Sequence, residues 1–296
     1  MAPTLPVELQ LDILELAIPP LTLQALRDRR QLCCSFSLVH RTWTAAAQRA
    51  LFSCALVDLR DRWTLEGATA AVQRLRKTGR HGSFRALEVY LSGRRVHLVS
   101  LLIQCDDAAT VAAVEGLLER SAEEGLPLKD CPGIKRLAWL GGRNRLFVDN
   151  HTLPPSLDFL AIFTTSFRLF TLSSYPSLTT LVVSRSADVA VSADLLALLP
   201  NLSVLAWCSD KGASVLDLLA NAPSLKLRRL LLEGAGLTRA RLSAALHHPP
   251  KSITLINPHP PDPEGVEGWC REKGTDLYRM DQWEEAELDL ELWALQ

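Results

Sequence analysis

The amino-acid sequence predicts an α/β protein in which a short N-terminal helical module precedes a solenoid with a curved parallel sheet. Two observations lead to this prediction. The first sixty residues carry apolar residues at helical spacing, whereas residues 84–255 repeat the six-residue pattern apolar-x-x-apolar-x-apolar. Alternate residues of a short strand point to the same side, and no single unit can bury its apolar edge without neighbours, so such units are expected to stack.

The charge balance limits the classes of partner that we expect. Among the 296 residues, 48% are hydrophobic and 22% are charged, and the formal net charge is -1. No overall field therefore draws the chain toward nucleic acid or an acidic membrane surface. We expect a protein with a substantial core whose partners are other proteins, and neither a membrane nor nucleic acid.

The seven cysteines are scattered along the chain and include no C-x-x-C pair. This usage favours reduced thiols over a disulfide framework. The start of the sequence lacks the basic region and cleavage site of a signal peptide. We therefore expect the protein in the cytoplasm, the nucleus or both.

The N-terminal segment predicts three short helices. The first spans residues 5–17, with Pro6 in its first turn and Leu9, Ile13 and Leu16 or Ala17 on one face, and Pro19-Pro20 ends it. A second is expected from near residue 23 toward residue 34, and a third from about residue 37 to residue 51. A stripe on this third helix consists of Val39, Trp43, Ala46 and Ala50.

Three short sequences within this module resemble the F-box motif. They are Leu5-Pro6-x-Glu8, the apolar pair Ile13-Leu14, and Leu38-Val39-His40-Arg41-Thr42-Trp43. The resemblance implies that the helices bind a Skp-type adaptor, which connects to a cullin and a RING subunit. The adaptor-binding residues that it implies are Leu5, Pro6, Leu9, Ile13, Leu38, Val39 and Trp43. A helical cap that only covers the first repeat would use the same apolar stripes.

The six-residue pattern has a nearly constant period. Its second anchors stand at positions 87, 137, 160, 181, 205, 230 and 253, and every step after the first is 21–25 residues. This period is typical of leucine-rich repeats, which run about 20–29 residues. The sequence therefore predicts an irregular leucine-rich-repeat solenoid. An ordinary α/β domain with similar strands is the alternative.

The segments between the predicted strands indicate helices on the opposite side of the solenoid. Candidates are residues 192–199, 213–220 and 238–247, and a longer helix is predicted over residues 107–124. The 50-residue step between positions 87 and 137 leaves room for a second unit near residues 96–103. We expect three parts: residues 1–58 as the F-box-like module, 59–258 as the solenoid, and 259–296 as a cap with an acidic tail.

Strand residues that point away from the core should line the concave face, which is the usual binding surface of a solenoid. A solvated strand residue is the alternative for each of them. The residues predicted to bind a target protein are Lys135, Arg136, Asp158, Thr180, Arg185, Arg228 and Arg229. A basic cluster within residues 74–95 could also accept an acidic or phosphorylated peptide, because guanidinium groups bind phosphate through paired hydrogen bonds.

The sequence contains no P-loop, no G-x-S-x-G and no H-E-x-x-H. We therefore predict no catalytic residues, no metal site and no cofactor. The resulting hypothesis is a substrate receptor of an SCF-type ubiquitin ligase, which binds a Skp-type adaptor through its helices and an unidentified target protein through its repeats. The alternative is a protein-binding scaffold that acts without a ligase.

Overall fold

The structure is a computed structural model, and it describes sixteen segments of the chain. These segments are residues 5–22, 25–51, 54–59, 86–91, 99–105, 134–141, 146–148, 153–164, 166–169, 175–184, 188–191, 195–208, 213–233, 236–256, 262–280 and 293–294. They form an N-terminal helical bundle followed by an α/β region, which confirms the predicted α/β class.

The N-terminal bundle consists of helices α1 (Val7–Ala17), α2 (Leu26–Val39) and α3 (Arg41–Leu51). Its centre is small, because α1 buries only Leu14 and α3 buries only Ala47, while α2 buries Leu26 and Cys33. A core of this size gives limited stability without further packing. Leu26 supplies some of that packing, since it belongs to the same apolar cluster as residues of the sheet.

Ten of the described strands form one sheet in the order β1-β2-β3-β4-β6-β8-β10-β11-β12-β13. The last seven of these strands, from β4 onward, pair in parallel. Their bounds are β1 Cys54–Leu59, β2 Ala86–Leu91, β3 Val99–Cys105, β4 Ile134–Gly141, β6 Phe159–Thr164, β8 Thr180–Ser184, β10 Val204–Cys208, β11 Arg229–Glu233, β12 Ser252–Ile256 and β13 Asp276–Met280. Strands that follow one another in the repeat pattern are therefore neighbours in space.

A proline-containing turn precedes four of the parallel strands. The chain turns at Pro155, Pro176, Pro200 and Pro223, and in each case the N–H two residues after the proline donates to the carbonyl one residue before it, at 3.1–3.3 Å. Proline suits the second position of such a turn because its ring already fixes φ near the required value. The turn delivers an apolar residue, such as the buried Leu157, Leu178 or Leu202, to the core just before the strand.

The residues near 96–103 form a strand that is not an additional parallel repeat unit. Strand β3 pairs antiparallel with both β2 and β4. Only residues 92–98 connect β2 to β3. A parallel crossover needs about a dozen residues or more, whereas a short loop suffices for an antiparallel pair. The sheet therefore departs at this strand from the parallel arrangement that the sequence predicted.

Helices α4 (Ala213–Ala220), α5 (Arg239–Ala245) and α6 (Pro263–Lys273) pack on one face of the sheet. In the described part of the helix predicted over residues 192–199, the chain forms the 3-10 turn Leu196–Leu198. The turn ends one residue before the predicted end, and Leu199 precedes Pro200, a position that is disfavoured in the α conformation. The helix predicted over residues 107–124 lies outside the described residues.

Two features were not predicted. Strands β5 (Leu146–Val148), β7 (Ser166–Leu169) and β9 (Asp188–Val191) form a second, three-stranded parallel sheet. Strand β13, together with α6, extends the main sheet past residue 258 by one more parallel strand. The segment expected to cap the repeats therefore contributes a strand to the main sheet.

Candidate functional site

Helix α1 turns most of its apolar residues outward. Leu5 is 54% exposed, Leu9 48%, Ile13 49% and Leu16 88%. Leu9, Ile13 and Leu16 are spaced four and three apart on α1, so they form one stripe, and Leu5 lies two residues before the helix begins. The amphipathic pattern was predicted from sequence, and the structure leaves this apolar stripe uncovered by the described residues and buries Leu14 instead.

Two more exposed apolar residues end helix α2: Leu38 is 87% exposed and Val39 is 64% exposed. The sequence placed Val39 and Trp43 on one continuous third helix, and this was wrong. The helix breaks at His40, whose backbone is extended, and the His40 Nδ1 atom accepts a hydrogen bond from the Thr42 backbone N–H at 3.3 Å. A side chain that accepts from the residue two positions later caps the start of α3.

Gln10 and Trp43 hold these two exposed segments together. The Trp43 Nε1–H donates to Gln10 Oε1 at 3.2 Å, and Gln10 Nε2 donates to the Leu5 carbonyl at 2.7 Å. The indole of Trp43 also meets Phe36 edge to face, with ring centroids 5.9 Å apart. The indole therefore connects α1, through Gln10, with α2, through Phe36. We call Leu5, Leu9, Ile13, Leu16, Leu38 and Val39 the N-terminal patch.

Trp43 was predicted to contact a partner, but the structure shows a half-buried residue that joins α1, α2 and α3. Gln10 was missed by sequence reasoning. It stands between Leu9 and Leu11, where a polar residue reads as ordinary helix surface, and its partner Trp43 is 33 positions away. Only the packing of the helices reveals that contact.

The residues predicted to bind a target lie in two different rows of the sheet. Lys135, Asp158 and Arg228 belong to an edge row just before strand pairing begins, which also contains Thr179, Ser203 and Lys251. Each of the six has its backbone linked to the next, for example Asp158 N–H to the Lys135 carbonyl at 2.9 Å. Arg136, Thr180 and Arg229 belong to a second row, the rim row, aligned in register with Phe159 and Val204.

The sheet face opposite the helices is apolar and already covered. Next to the rim row, a floor of small and branched residues runs across five strands. Ala138 is 3% exposed and the other four floor residues are 0% exposed: Ala161, Val182, Ala206 and Leu231. Thr180 is only 8% exposed, so this predicted contact residue is not open to a partner. Arg185 lies outside the described residues, as does the basic cluster within residues 74–95.

Four described residues from outside the sheet pack in the same cluster as the floor. Leu21 and Leu26 come from the N-terminal bundle, and Trp293 and Ala294 come from the far end of the sequence. Small floor side chains let such residues approach the backbone of the sheet closely. The face that was expected to be polar and open is therefore a second apolar core.

Arg229 of the rim row is the charged residue most closely tied to this cover. Its guanidinium carbon lies 4.3 Å from the centre of the Trp293 ring, which is the geometry of a cation–π contact. Burial lowers the pKa of Arg229 and so does neighbouring Arg228, whereas Tyr278 raises it. Arg229 Nη1 is buried, and no described residue accepts a hydrogen bond from it.

Among the described residues, no three His, Cys, Asp or Glu side chains come close enough to hold a metal ion. Burial raises the pKa of the Cys33 and Cys270 thiols, which lowers the fraction of reactive thiolate. No helix in the described part of the chain is long and apolar enough to cross a membrane.

Comparison with family models, with curated proteins and with solved structures found no match to the chain.

Proposed function

We propose that the chain is the substrate receptor of an SCF-type ubiquitin ligase, in which the N-terminal patch binds a Skp-type adaptor and the sheet region holds a target protein. The chain would supply proximity and no chemistry of its own. It would keep a target lysine at high effective concentration near the ubiquitin thioester that another subunit carries.

The observation that carries this proposal is the exposure of the N-terminal patch. Leaving six apolar side chains about half exposed or more is unfavourable in water, and a cluster of this kind marks a surface that a partner covers. Four of the six residues stand in the sequences that resemble the F-box motif: Leu5, Ile13, Leu38 and Val39. The patch also stands on a bundle whose own core is small, as expected for a module that gains stability from its partner.

The Gln10–Trp43 contact supports the same proposal. Gln10 bonds the carbonyl of Leu5, so it fixes the Leu5-Pro6 turn at the start of α1 relative to α3. A docking surface that is ordered before binding loses less conformational entropy when the partner arrives. The resemblance assigns the main adaptor contact to this Leu-Pro turn.

A binding experiment with a purified Skp-type adaptor tests the proposal. The full chain is expected to bind the adaptor, and the Leu5→Ala/Pro6→Ala double variant is expected to bind at least tenfold more weakly, because truncating a buried interface anchor typically costs about 2 kcal/mol or more. Tyr278→Ala is the matched control, since Tyr278 is 56% exposed and Leu5 is 54% exposed. Tyr278 lies on β13, outside the N-terminal patch, so its variant should bind like the wild type.

Absence of binding by the wild-type chain would favour the ligase-independent scaffold. Equal weakening by Leu5→Ala/Pro6→Ala and by Tyr278→Ala would show that the adaptor contacts exposed apolar surface without selectivity. Either result would remove the N-terminal patch as the adaptor site.

A further inference from the structure

We propose that the floor and Arg229 form a peptide-binding surface, that the segment containing Trp293 and Ala294 is its internal ligand, and that an outside partner carries the same chemistry: an aromatic ring beside a small residue within an acidic stretch. Describing this partner as a ubiquitination target rests on the proposed function, whereas the binding surface itself does not.

The contacts of the two described residues define the surface. Trp293 lies over the guanidinium of Arg229, and Ala294 is 5% exposed within the floor cluster. A large flat ring on a cation, followed by a small residue buried in the floor cluster, is a specific pairing of shape and charge. Both parts are needed, because the floor without Arg229 would accept any apolar side chain.

The charge of the surrounding sequence fits the same surface. The eleven residues 281–291 include six acidic ones: Asp281, Glu284, Glu285, Glu287, Asp289 and Glu291. The neighbouring ends of β11 and β12 carry Arg228, Arg229 and Lys251. Arg229 Nη1 is buried and lacks an acceptor among the described residues, and a carboxylate is the strongest acceptor that a peptide can offer to a guanidinium.

The internal ligand sets a threshold for outside partners. A segment tethered by a short linker has an effective concentration in the millimolar range, so a free peptide of equal intrinsic affinity competes poorly. An outside partner therefore binds only when it exceeds the segment in affinity, or when the segment is released. The surface is selective because an outside partner must displace the segment of the same chain that already occupies it.

A titration with a fluorescently labelled peptide of residues 281–296 tests this proposal on the full chain. The Trp293→Ala chain is expected to bind the peptide at least tenfold more tightly than the wild-type chain, because the internal competitor has lost its ring. A peptide in which Trp293 is replaced by Ala should lose most of its affinity for the Trp293→Ala chain, and a peptide with Trp293→Phe should retain more of it.

Neighbouring arginines provide the matched control. Added to the Trp293→Ala background, Arg229→Ala is expected to weaken peptide binding at least fivefold, and Arg228→Ala, which removes the same charge from an exposed residue, by less than threefold. Arg229→Lys keeps the charge without the planar group and should fall between wild type and Arg229→Ala. Circular dichroism of each chain verifies that the fold is retained.

Three results would overturn the proposal: equal peptide affinity for wild-type and Trp293→Ala chains, equal losses from Arg228→Ala and Arg229→Ala, or no peptide binding by any chain. Adaptor binding through the N-terminal patch is measured in a separate experiment. If the chain fails to bind the adaptor, the peptide titration still tests the peptide-binding surface.

Discussion

The sheet region buries its apolar residues, whereas the N-terminal bundle leaves many of them exposed. In the sheet region the second anchors of the pattern, such as Leu137, Leu205 and Leu230, are 0% exposed, and even the face opposite the helices is buried. In the N-terminal bundle, Leu16 and Leu38 are 88% and 87% exposed. Identical side chains therefore stabilise the fold in one region and remain available for binding in the other.

Whether a leucine is buried depends on its neighbours in space. Each strand of the parallel sheet has a strand on one or both sides, and its core residues share one apolar cluster with residues of the connecting segments, so its apolar residues meet partners in the same chain. Helix α1 meets only a small bundle and can bury little more than Leu14. The remaining apolar surface of α1 stays exposed unless another protein covers it.

The largest expected difference in stability comes from making the same leucine-to-alanine substitution in the sheet region and in the N-terminal bundle. Leu205→Ala should lower the free energy of unfolding by about 3 kcal/mol, because it removes buried methyl groups and leaves a cavity. Leu16→Ala should change it by less than about 0.5 kcal/mol, because the side chain is already in water. Urea unfolding measures both, and similar losses at the two positions would remove the contrast.

The next largest expected loss of stability comes from removing the helix-capping residue Asp262. The Asp262 carboxylate accepts from the Gly265 N–H at 3.0 Å at the start of α6 and from the Arg239 N–H at 3.2 Å at the start of α5. Asp262→Ala should cost about 1–2 kcal/mol of unfolding free energy, because both helix ends lose an acceptor.

Asp262→Asn is the control for that cap. Its amide oxygen can replace one acceptor but not both, so its loss should be smaller. A loss from Asp262→Asn as large as that from Asp262→Ala would show that the carboxylate charge, and not the geometry of the cap, stabilises these helices. Thermal unfolding of the two variants measures the difference.

A smaller effect is expected at Gln10. Gln10→Ala should destabilise the chain by about 1 kcal/mol, because it leaves the half-buried Trp43 Nε1–H without its acceptor. Trp43→Phe removes the donor from the other side. If the two residues act through this bond, the double variant should lose less than the sum of the single variants, whereas additive losses would argue against the contact.

The smallest expected effect is a difference in the rate of chemical modification between two adjacent cysteines. Cys33 is 0% exposed and burial raises the pKa of its thiol, whereas Cys34 is exposed. Under native conditions an alkylating reagent should modify Cys34 at least tenfold faster than Cys33, because Cys34 is exposed and burial of Cys33 lowers its fraction of reactive thiolate. Tandem mass spectrometry distinguishes the two sites, and equal rates would place Cys33 at the surface.

Burial of Cys33 also predicts the sign of a pH effect on stability. A raised folded-state pKa means that the unfolded chain gives up this proton at a lower pH than the folded chain. The contribution of the Cys33 thiol to the free energy of unfolding is fully present below the unfolded-state pKa. It is lost as the pH rises through the folded-state pKa. The free energy of unfolding should therefore decrease on the alkaline side, and replacing Cys33 by Ala should reduce that decrease.

The parts predicted from sequence are those with a local periodic signal. Anchors such as Leu160, Leu181 and Leu230 fall on strands because their spacing is regular, and prolines such as Pro176 mark turns because a ring fixes the backbone locally. The exposed stripe of Leu9, Ile13 and Leu16 was also visible as a pattern. The antiparallel direction of β3 could have been inferred from the seven-residue connection before it.

Other features depend on contacts between distant parts of the chain. The pairing of Gln10 with Trp43, the cover that Leu26 and Trp293 place over the floor, and the burial of Thr180 carry no local mark in the sequence. The prediction of a polar, open face was wrong for this reason: alternation shows which residues share a face, but not whether anything lies on it.

Local patterns in the sequence were sufficient to predict the α/β class, the positions of the repeated strands and the apolar stripe on α1, because periodicity and proline act within a few residues. Which faces are buried depended on contacts between distant parts of the chain. Burial is the property of two surfaces that meet: Leu26, Trp293 and Ala294 pack in one cluster with the floor, whereas the residues of the α1 stripe remain about half exposed or more.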